Sequence, residues 1–291
     1  MIVVDLGNTR AKFGFFQNGY RSNAVPEPDS VLAVNSSGLV DSSGFADSCS
    51  FVNSSSSGFD TVIDWLNNLD KPETWFIAQT GNFSWNELQT KLIQLRPCDQ
   101  FKEISYKDIP IPIDVEFPEK VGLDRLLSVY AASCWRTFNA LHLGFEKETR
   151  ILVVDAGSAV TVDLLAGEGY FAGGAILPGL NAMAESLAKI SPQLPRIPTD
   201  DISFAVYPGK NTEEALAAGI YWGAVGAIRQ FHQLVQTTLQ DAGLPSRVPI
   251  FLVGGDAKHL QIGLSLFMES ENLFLFPNFV LSGIALTFQN L

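Results

Sequence analysis

Short β-branched apolar runs alternate along this chain with stretches whose apolar residues recur at helical spacing. Met1 to Leu6 is an apolar run broken by Asp5, Gly7-Asn8-Thr9 supplies turn chemistry, and Ala11 to Phe16 reads as a second strand. The chain is therefore expected to open with a hairpin. Between Ser36 and Gly58, Ser, Gly and Asn dominate without clear periodicity, the composition of a surface loop or a weakly ordered insertion, and no chemistry is assigned to it. The spacing then predicts a helix over Thr61 to Leu69, a buried strand over Thr74 to Gln79 and a helix over Trp85 to Leu95. Such alternation suggests an α/β layer.

The Pro-rich segment Ile109 to Pro118 interrupts this pattern, and a helix is expected from near Leu123 to about Phe138. A domain boundary is placed there, giving domains over 1–120 and 121–291, with the last helix a candidate to return to the first domain. The opening pattern then recurs. Arg150 to Val154 is an apolar strand ending in Asp155, Gly157 gives a turn, and Val160 to Leu165 and Tyr170 to Leu177 read as two further strands. Pro178 is expected to start a helix to about Ile190, and Thr212 to Leu239 to carry one long helix or two broken ones. Pro249 to Val253 reads as a buried strand before Gly254-Gly255-Asp256, and a last strand, Leu273 to Phe276, precedes a terminal helix.

Composition narrows the function classes. With 291 residues and 46% hydrophobic content, the chain can build a sizeable core. Acidic residues outnumber basic ones 31 to 19, a net charge of -12, which repels a phosphodiester backbone in the absence of a basic patch. No nucleic-acid partner is expected. Asp5 interrupts the N-terminal apolar stretch too early for a secretory core, and no later run approaches the roughly 20 residues that span a bilayer. Cys49, Cys98 and Cys134 are odd in number and far apart, which supports neither a disulfide framework nor a zinc ribbon. A cytoplasmic protein that does not engage a membrane is the expectation.

Candidate chemistry lies in two segments of one design: Val3-Val4-Asp5-Leu6-Gly7-Asn8-Thr9 and Val153-Val154-Asp155-Ala156-Gly157-Ser158-Ala159-Val160-Thr161. Each is a strand, a terminal Asp, a Gly turn and a hydroxyl or amide. A Gly turn lets backbone N–H groups approach phosphate oxygens, hydroxyls add donors, and the Asp holds a cation or its water shell against a triphosphate. Phosphoryl transfer is mostly positioning and charge neutralisation, so two such hairpins are a plausible engine for it. Either hairpin alone reads as a turn stabilised by its Asp; the duplication, with the later Gly-Gly-Asp loop, favours the phosphate reading. Gly122-Leu123-Asp124-Arg125 opens a helix, where a carboxylate and a guanidinium are presented together and the Asp could accept a hydroxyl proton. Gly209-Lys210 lacks the earlier glycine of a P-loop, and Gly167, Gly169, Gly173 and Gly174 lack the dinucleotide-binding spacing. His142, His232 and His259 are scattered and read as capping or surface positions.

In order and spacing, Asp5-Leu6-Gly7-Asn8-Thr9, Gly122-Leu123-Asp124-Arg125, Asp155-Ala156-Gly157-Ser158-Ala159-Val160-Thr161 and Gly173-Gly174-Ala175-Ile176-Leu177-Pro178-Gly179 resemble the type III pantothenate kinases over nearly the whole chain. The resemblance implies an α/β protein of two actin-like (ribonuclease H-like) domains with an ATP cleft between them. It implies pantothenate as substrate, a homodimer, ATP with Mg2+, and a monovalent cation (K+ or NH4+). By motif matching, Asp5, Leu6, Gly7, Asn8, Thr9, Arg10, Ala11 and Lys12 would form the first phosphate loop, with Asp5 also a magnesium ligand, directly or through water. Ser158 would contact ATP and Asp155 would bind the monovalent cation. Gly122, Leu123, Asp124 and Arg125 would bind pantothenate, with Asp124 the general base, and Ser191 falls where the family has a substrate-contacting Thr. Ser158 replaces a common Thr and keeps its hydroxyl. Val115 stands where a substrate-reaching Tyr is common, and Pro192 follows Ser191 in place of a small residue. Two alternatives remain open at this point: a kinase or phosphatase of the same superfamily acting on another small molecule, and a non-catalytic regulatory homologue.

Overall fold

The computed structural model describes residues 1–8, 10–16, 25–35, 58–67, 69–81, 85–143, 145–146, 148–199, 202 and 205–288. Thr9 and the Ser-rich stretch 36–57 lie outside the described residues. Ten strands are described: β1 (Ile2–Leu6), β2 (Arg10–Phe15), β3 (Ser30–Asn35), β4 (Thr74–Gln79), β5 (Gln100–Glu103), β6 (Ile151–Ala156), β7 (Ala159–Leu165), β8 (Phe171–Pro178), β9 (Ile250–Val253) and β10 (Leu273–Leu275). The α-helices are α1 (Gly58–Leu66), α2 (Trp85–Leu95), α3 (Leu123–Leu143), α4 (Leu180–Ile190), α5 (Thr212–Asp241), α6 (Ala257–Leu264) and α7 (Phe279–Thr287). They form two compact units: Met1–Pro110, Phe117–Ala131 and Phe279–Leu291 make unit 1, and Ile111–Glu116 with Ala132–Asn278 make unit 2.

Unit 1 holds a five-stranded sheet in the order β3-β2-β1-β4-β5. β1, β2 and β3 are antiparallel neighbours, while β4 and β5 continue the sheet parallel to β1. Side chains alternate across a strand, so β1 divides its residues between two faces. Ile2, Val4 and Leu6 join Phe13, Trp75 and Ile77 in a core closed by Val62 and Leu66 of α1 and Leu88 and Leu92 of α2. Val3 and Asp5 belong to the opposite face, which α7 covers by packing on β1, β2 and β4. Phe279 to Leu286 of that helix are all buried, and each fully buried Leu or Ile there contributes about 1.5–3 kcal/mol. Beyond it, Phe288 stacks on Phe76 of β4 at 4.1 Å between ring centroids. Leu127 of α3 backs onto Gly283, where an added Cβ would come within 2.4 Å of the Leu127 carbonyl oxygen. The start of α3 thereby reaches the face that carries Asp5.

Unit 2 repeats the design strand for strand. Its sheet has the order β10-β9-β6-β7-β8, with β6, β7 and β8 antiparallel and β9 and β10 parallel to β6. An antiparallel three-stranded meander extended by parallel strands, present twice, is the actin-like (ribonuclease H-like) fold. Leu152, Val154 and Ala156 face a core with Leu180 and Ala184 of α4, Tyr221, Val225 and Ile228 of α5, and Leu260 of α6. On the other face Trp135 of α3 packs edge-on against Phe251 at 4.8 Å and Phe274 at 5.0 Å. The buried Arg136 guanidinium donates to the carbonyls of Thr149 and Ala166, tying α3 to two loops.

Several elements depart from the sequence pattern. α5 is one uninterrupted helix: Gly219, Gly223 and Gly226 cost about 1 kcal/mol each in a helix interior, and the buried row Ile220, Tyr221, Ala224, Val225 and Ile228 offsets this. Its N-terminus is capped by the Asn211 side chain, which accepts from the Glu214 N–H at 2.9 Å. Pro178 closes β8, and α4 begins after Gly179. α3 runs one turn beyond Phe138, and β3, β5 and α6 were not anticipated, the polar β5 being held by pairing to β4. No helix among the described residues is long and apolar enough to cross a membrane.

Candidate active site

The first hairpin is fixed by register. Asp5 pairs with Lys12 across it, and the Gly7 N–H donates to the Arg10 carbonyl at 3.0 Å to close the turn. Leu6 and Ala11 are core residues, Lys12 is half-buried, and Asn8 and Arg10 are exposed. Asp5 is 9% exposed. Its Oδ1 accepts a 2.6 Å hydrogen bond from the Thr80 hydroxyl. Burial pushes the Asp5 carboxyl up to about 6 from 3.8; the Thr80 bond and Lys12 pull it down, and the Asp124 carboxylate adds to the rise. Asp124 therefore lies within electrostatic reach of Asp5 inside unit 1.

Gly122, Leu123, Asp124 and Arg125 stand together at the start of α3, each half-buried. The Asp124 carboxylate folds back over the helix entry: its Oδ1 accepts from the Arg125 N–H at 2.8 Å, and a Cβ on Gly122 would come within 2.5 Å of it. Only glycine leaves that carboxylate its place. Burial raises the Asp124 carboxyl above its ordinary value, opposed by the Arg125 backbone bond and guanidinium.

The second hairpin turns one residue tighter, with the Gly157 N–H donating to the Ala159 carbonyl at 2.9 Å. Ser158 is exposed at its tip, and Asp155 is half-buried opposite Thr161 and Val253. The start of α4 rests on this turn, the Gly179 N–H donating to the Ser158 carbonyl at 3.2 Å. Ser191 lies at the other end of α4, where its Oγ accepts from the Gln193 N–H. The 11 residues of α4 hold Ser158 and Ser191 roughly 16 Å apart along the helix, so unit 2 does not bring these two together. Val115 lies against β8, its side chain within 3.5 Å of where a Cβ on Gly173 would sit.

Two residues absent from the sequence reasoning enter the site here. Thr80 and Gly81 follow β4, and both N–H groups donate to the Leu6 carbonyl, at 3.1 and 2.8 Å. A Cβ on Gly81 would lie 2.4 Å from the Asn8 nitrogen, so this segment crosses the hairpin turn at a distance that no other residue permits. In unit 2 the close approach comes two positions earlier, at Gly254, where φ is +91° and a Cβ would lie 2.5 Å from Asp155 Oδ1. The signal was available: the apolar strand followed by a Gly-containing turn was recognised at Gly254-Gly255-Asp256 but not in its earlier copy, Gln79-Thr80-Gly81.

A family model for type III pantothenate kinase matches residues 1–234. The type III pantothenate kinase of Rhodopirellula baltica is 37% identical over 139 residues, 46% of this chain and 46% of that one. That of Persephonella marina is 25% identical over 267 residues, 91% of each. The matched region thus spans about half the length of the first relative and most of the second. Among solved structures, a conserved Campylobacter jejuni protein described as a Baf family transcriptional activator is 18% identical, with a TM-score of 0.55 and 100% of both chains covered. That likeness concerns the fold alone. With four motifs in family order, two of them drawn together in unit 1 and a third repeating the hairpin in unit 2, and with the family model matching 234 residues, the chain belongs to the type III pantothenate kinase family.

Proposed function

We propose that the chain transfers the γ-phosphoryl group of ATP to the primary hydroxyl of pantothenate, giving ADP and 4'-phosphopantothenate, the first step of coenzyme A biosynthesis. The observation that carries this reading is the half-buried Asp124 carboxylate, folded over the entry of α3 beside Gly122 and lying in the same unit as the Asp5 hairpin. A carboxylate with an elevated pKa is a stronger base for a hydroxyl proton, and its partial desolvation keeps it from being satisfied by water.

In this mechanism Gly122 to Arg125 bind pantothenate. Asp124 takes the proton as the substrate oxygen attacks the γ-phosphorus, and the bond to the β–γ bridging oxygen breaks to release ADP. The turn from Asp5 to Lys12 presents backbone N–H groups and the Lys12 ammonium to the phosphates, Ser158 contacts ATP from the second hairpin, and Ser191 contacts pantothenate.

The residues fit magnesium. Asp5 is a single buried carboxylate beside a turn that a Cβ on Gly81 would fill, and Mg2+ in kinases binds through one or two carboxylates with phosphate oxygens and water. Among the described residues no group of three or more His, Cys, Asp and Glu could hold a metal alone. When bound, magnesium neutralises charge on the triphosphate. Asp155, with the Gly254 backbone against its Oδ1, would hold K+ or NH4+. We further place the enzyme in the cytoplasm as a homodimer. The exposed Gly219, Gly223 and Gly226 face of α5, with nothing within 4 Å of an added Cβ, is a surface for close helix contact, and sedimentation as a monomer would contradict it.

The test is ADP release from purified protein given ATP and Mg2+, with and without pantothenate, in potassium, ammonium and sodium buffers. Turnover that requires pantothenate and K+ or NH4+ supports the assignment; a folded protein inactive in all three overturns it.

A further inference from the structure

In both units the strand parallel to the hairpin's first strand ends against the hairpin turn, and register makes those two ends comparable residue by residue. Asp5 lies opposite Ala78 of β4, and Asp155 lies opposite Val253 of β9. Counting on from these pairs, Thr80 corresponds to Gly255 and Gly81 to Asp256. The hydrogen bonds agree: the Gly81 N–H donates to Leu6 at 2.8 Å, and the Asp256 N–H to Ala156, the residue equivalent to Leu6, at 3.0 Å. That closing bond is shared, although Gly254 takes φ +91° where Gln79 is still part of β4, and the side chains differ. Unit 1 has a hydroxyl at the position where unit 2 has no side chain.

That hydroxyl donates to Asp5 Oδ1 at 2.6 Å, a charge-assisted bond when the carboxylate is ionised. Its own backbone is tied down, because the Thr80 N–H donates to Leu6 at 3.1 Å and β4 is paired with β1 throughout. An Asp side chain left to itself samples several rotamers, whereas magnesium demands near-octahedral geometry. Resting on the reading of Asp5 as the magnesium-side carboxylate, we propose that Thr80 is a positioning residue for phosphoryl transfer: its hydroxyl occupies one oxygen of Asp5 and fixes the carboxylate so that the other serves the magnesium–triphosphate complex. Gly255 supplies no such donor to Asp155. The duplicated carboxylates are thus set apart for different tasks by the residue two positions beyond each paired strand partner.

The experiment compares Thr80→Val, which keeps the shape and removes the donor, with Thr80→Ser, which keeps the donor. Two readouts are needed: kcat and KM across a magnesium titration, and calorimetric binding of a non-hydrolysable ATP analogue with and without Mg2+. Thr80→Val should lose about 10- to 100-fold in kcat with pantothenate KM changed by less than about threefold, the behaviour of lost positioning. Its magnesium-dependent gain in analogue affinity should shrink by about fivefold or more while magnesium-free binding is unchanged, and Thr80→Ser should restore both to within about threefold. Wild-type kcat and magnesium linkage in Thr80→Val would overturn the proposal, as would a Thr80→Ser protein impaired to the same degree. Should Thr80→Val not fold, Thr80→Ala makes the same comparison. If the wild-type protein turned over no pantothenate, the substrate assignment would fall while the analogue-binding arm still decided the role of Thr80.

Discussion

Replacing Asp5 by Asn should make the protein more stable and inactive at once. The carboxyl is 9% exposed and is pushed up to about 6 from 3.8, with burial the largest cause. A carboxyl whose folded pKa is raised contributes stability that is fully present below about 4 and is lost as pH rises through about 6. The shift of about two units corresponds to roughly 3 kcal/mol withheld from the folded state near neutral pH. Asn has nearly the same shape, keeps an oxygen to accept from Thr80 and carries no charge to desolvate. Asp5→Asn should therefore gain about 3 kcal/mol near pH 7.5 and about half of that near pH 5, where part of the wild-type carboxyl is already protonated. Urea unfolding of both proteins at the two pH values, followed by fluorescence, measures this gap. An Asn protein that is no more stable near pH 7.5, or a gap that fails to narrow on acidification, would refute the reasoning. Loss of turnover in the same protein would show that the buried charge is retained for its work on the nucleotide, a stability cost at a functional site.

Other outcomes follow from the same geometry. Asp124→Asn should fold and bind the ATP analogue yet lose about 10²- to 10⁴-fold in kcat, as measured by ADP release. Because the Asp124 carboxyl is raised and a base acts only when deprotonated, kcat/KM of the wild-type enzyme should fall on the acid side with a midpoint above the ordinary carboxylate value, and the Asn variant should keep only the part of that limb that Asp5 contributes. In Gly81→Ala the new methyl would lie 2.4 Å from the Asn8 nitrogen, so the hairpin turn must shift; a cost of about 1–3 kcal/mol in urea unfolding and a raised KM for ATP are expected. Phe288→Ala removes a buried ring stacked on Phe76 and should cost about 3 kcal/mol without changing KM for either substrate.

The two hairpins, the helix opening at Gly122 and most strands were legible because their signals are local. Alternation in Met1 to Leu6, turn chemistry at Gly7-Asn8 and an apolar run ending in Asp155 each lie within a few residues, and the repetition of one design in two halves identified a duplicated fold. The family motifs likewise stand in order and spacing, with departures at Val115, Ser158 and Ser191-Pro192. α5 could not be decided as one helix or two, since three glycines argue for a break and only the buried row on its other face overrides them. β5 carries too little apolar signal to be recognised and exists because β4 offers it a partner.

What the sequence determined by itself was the pair of hairpins with an Asp near the end of each first strand, because a strand ending in Asp before a Gly turn is a statement about neighbouring residues. Only the tertiary structure decided how they are tuned. Asp5 owes its elevation first to burial and then to Asp124 in a helix more than a hundred residues away, and one oxygen of it is held by Thr80, 75 residues along the chain. Desolvation and charge–charge interaction depend on distance in space, which the packing of unit 1 sets and which no local pattern encodes.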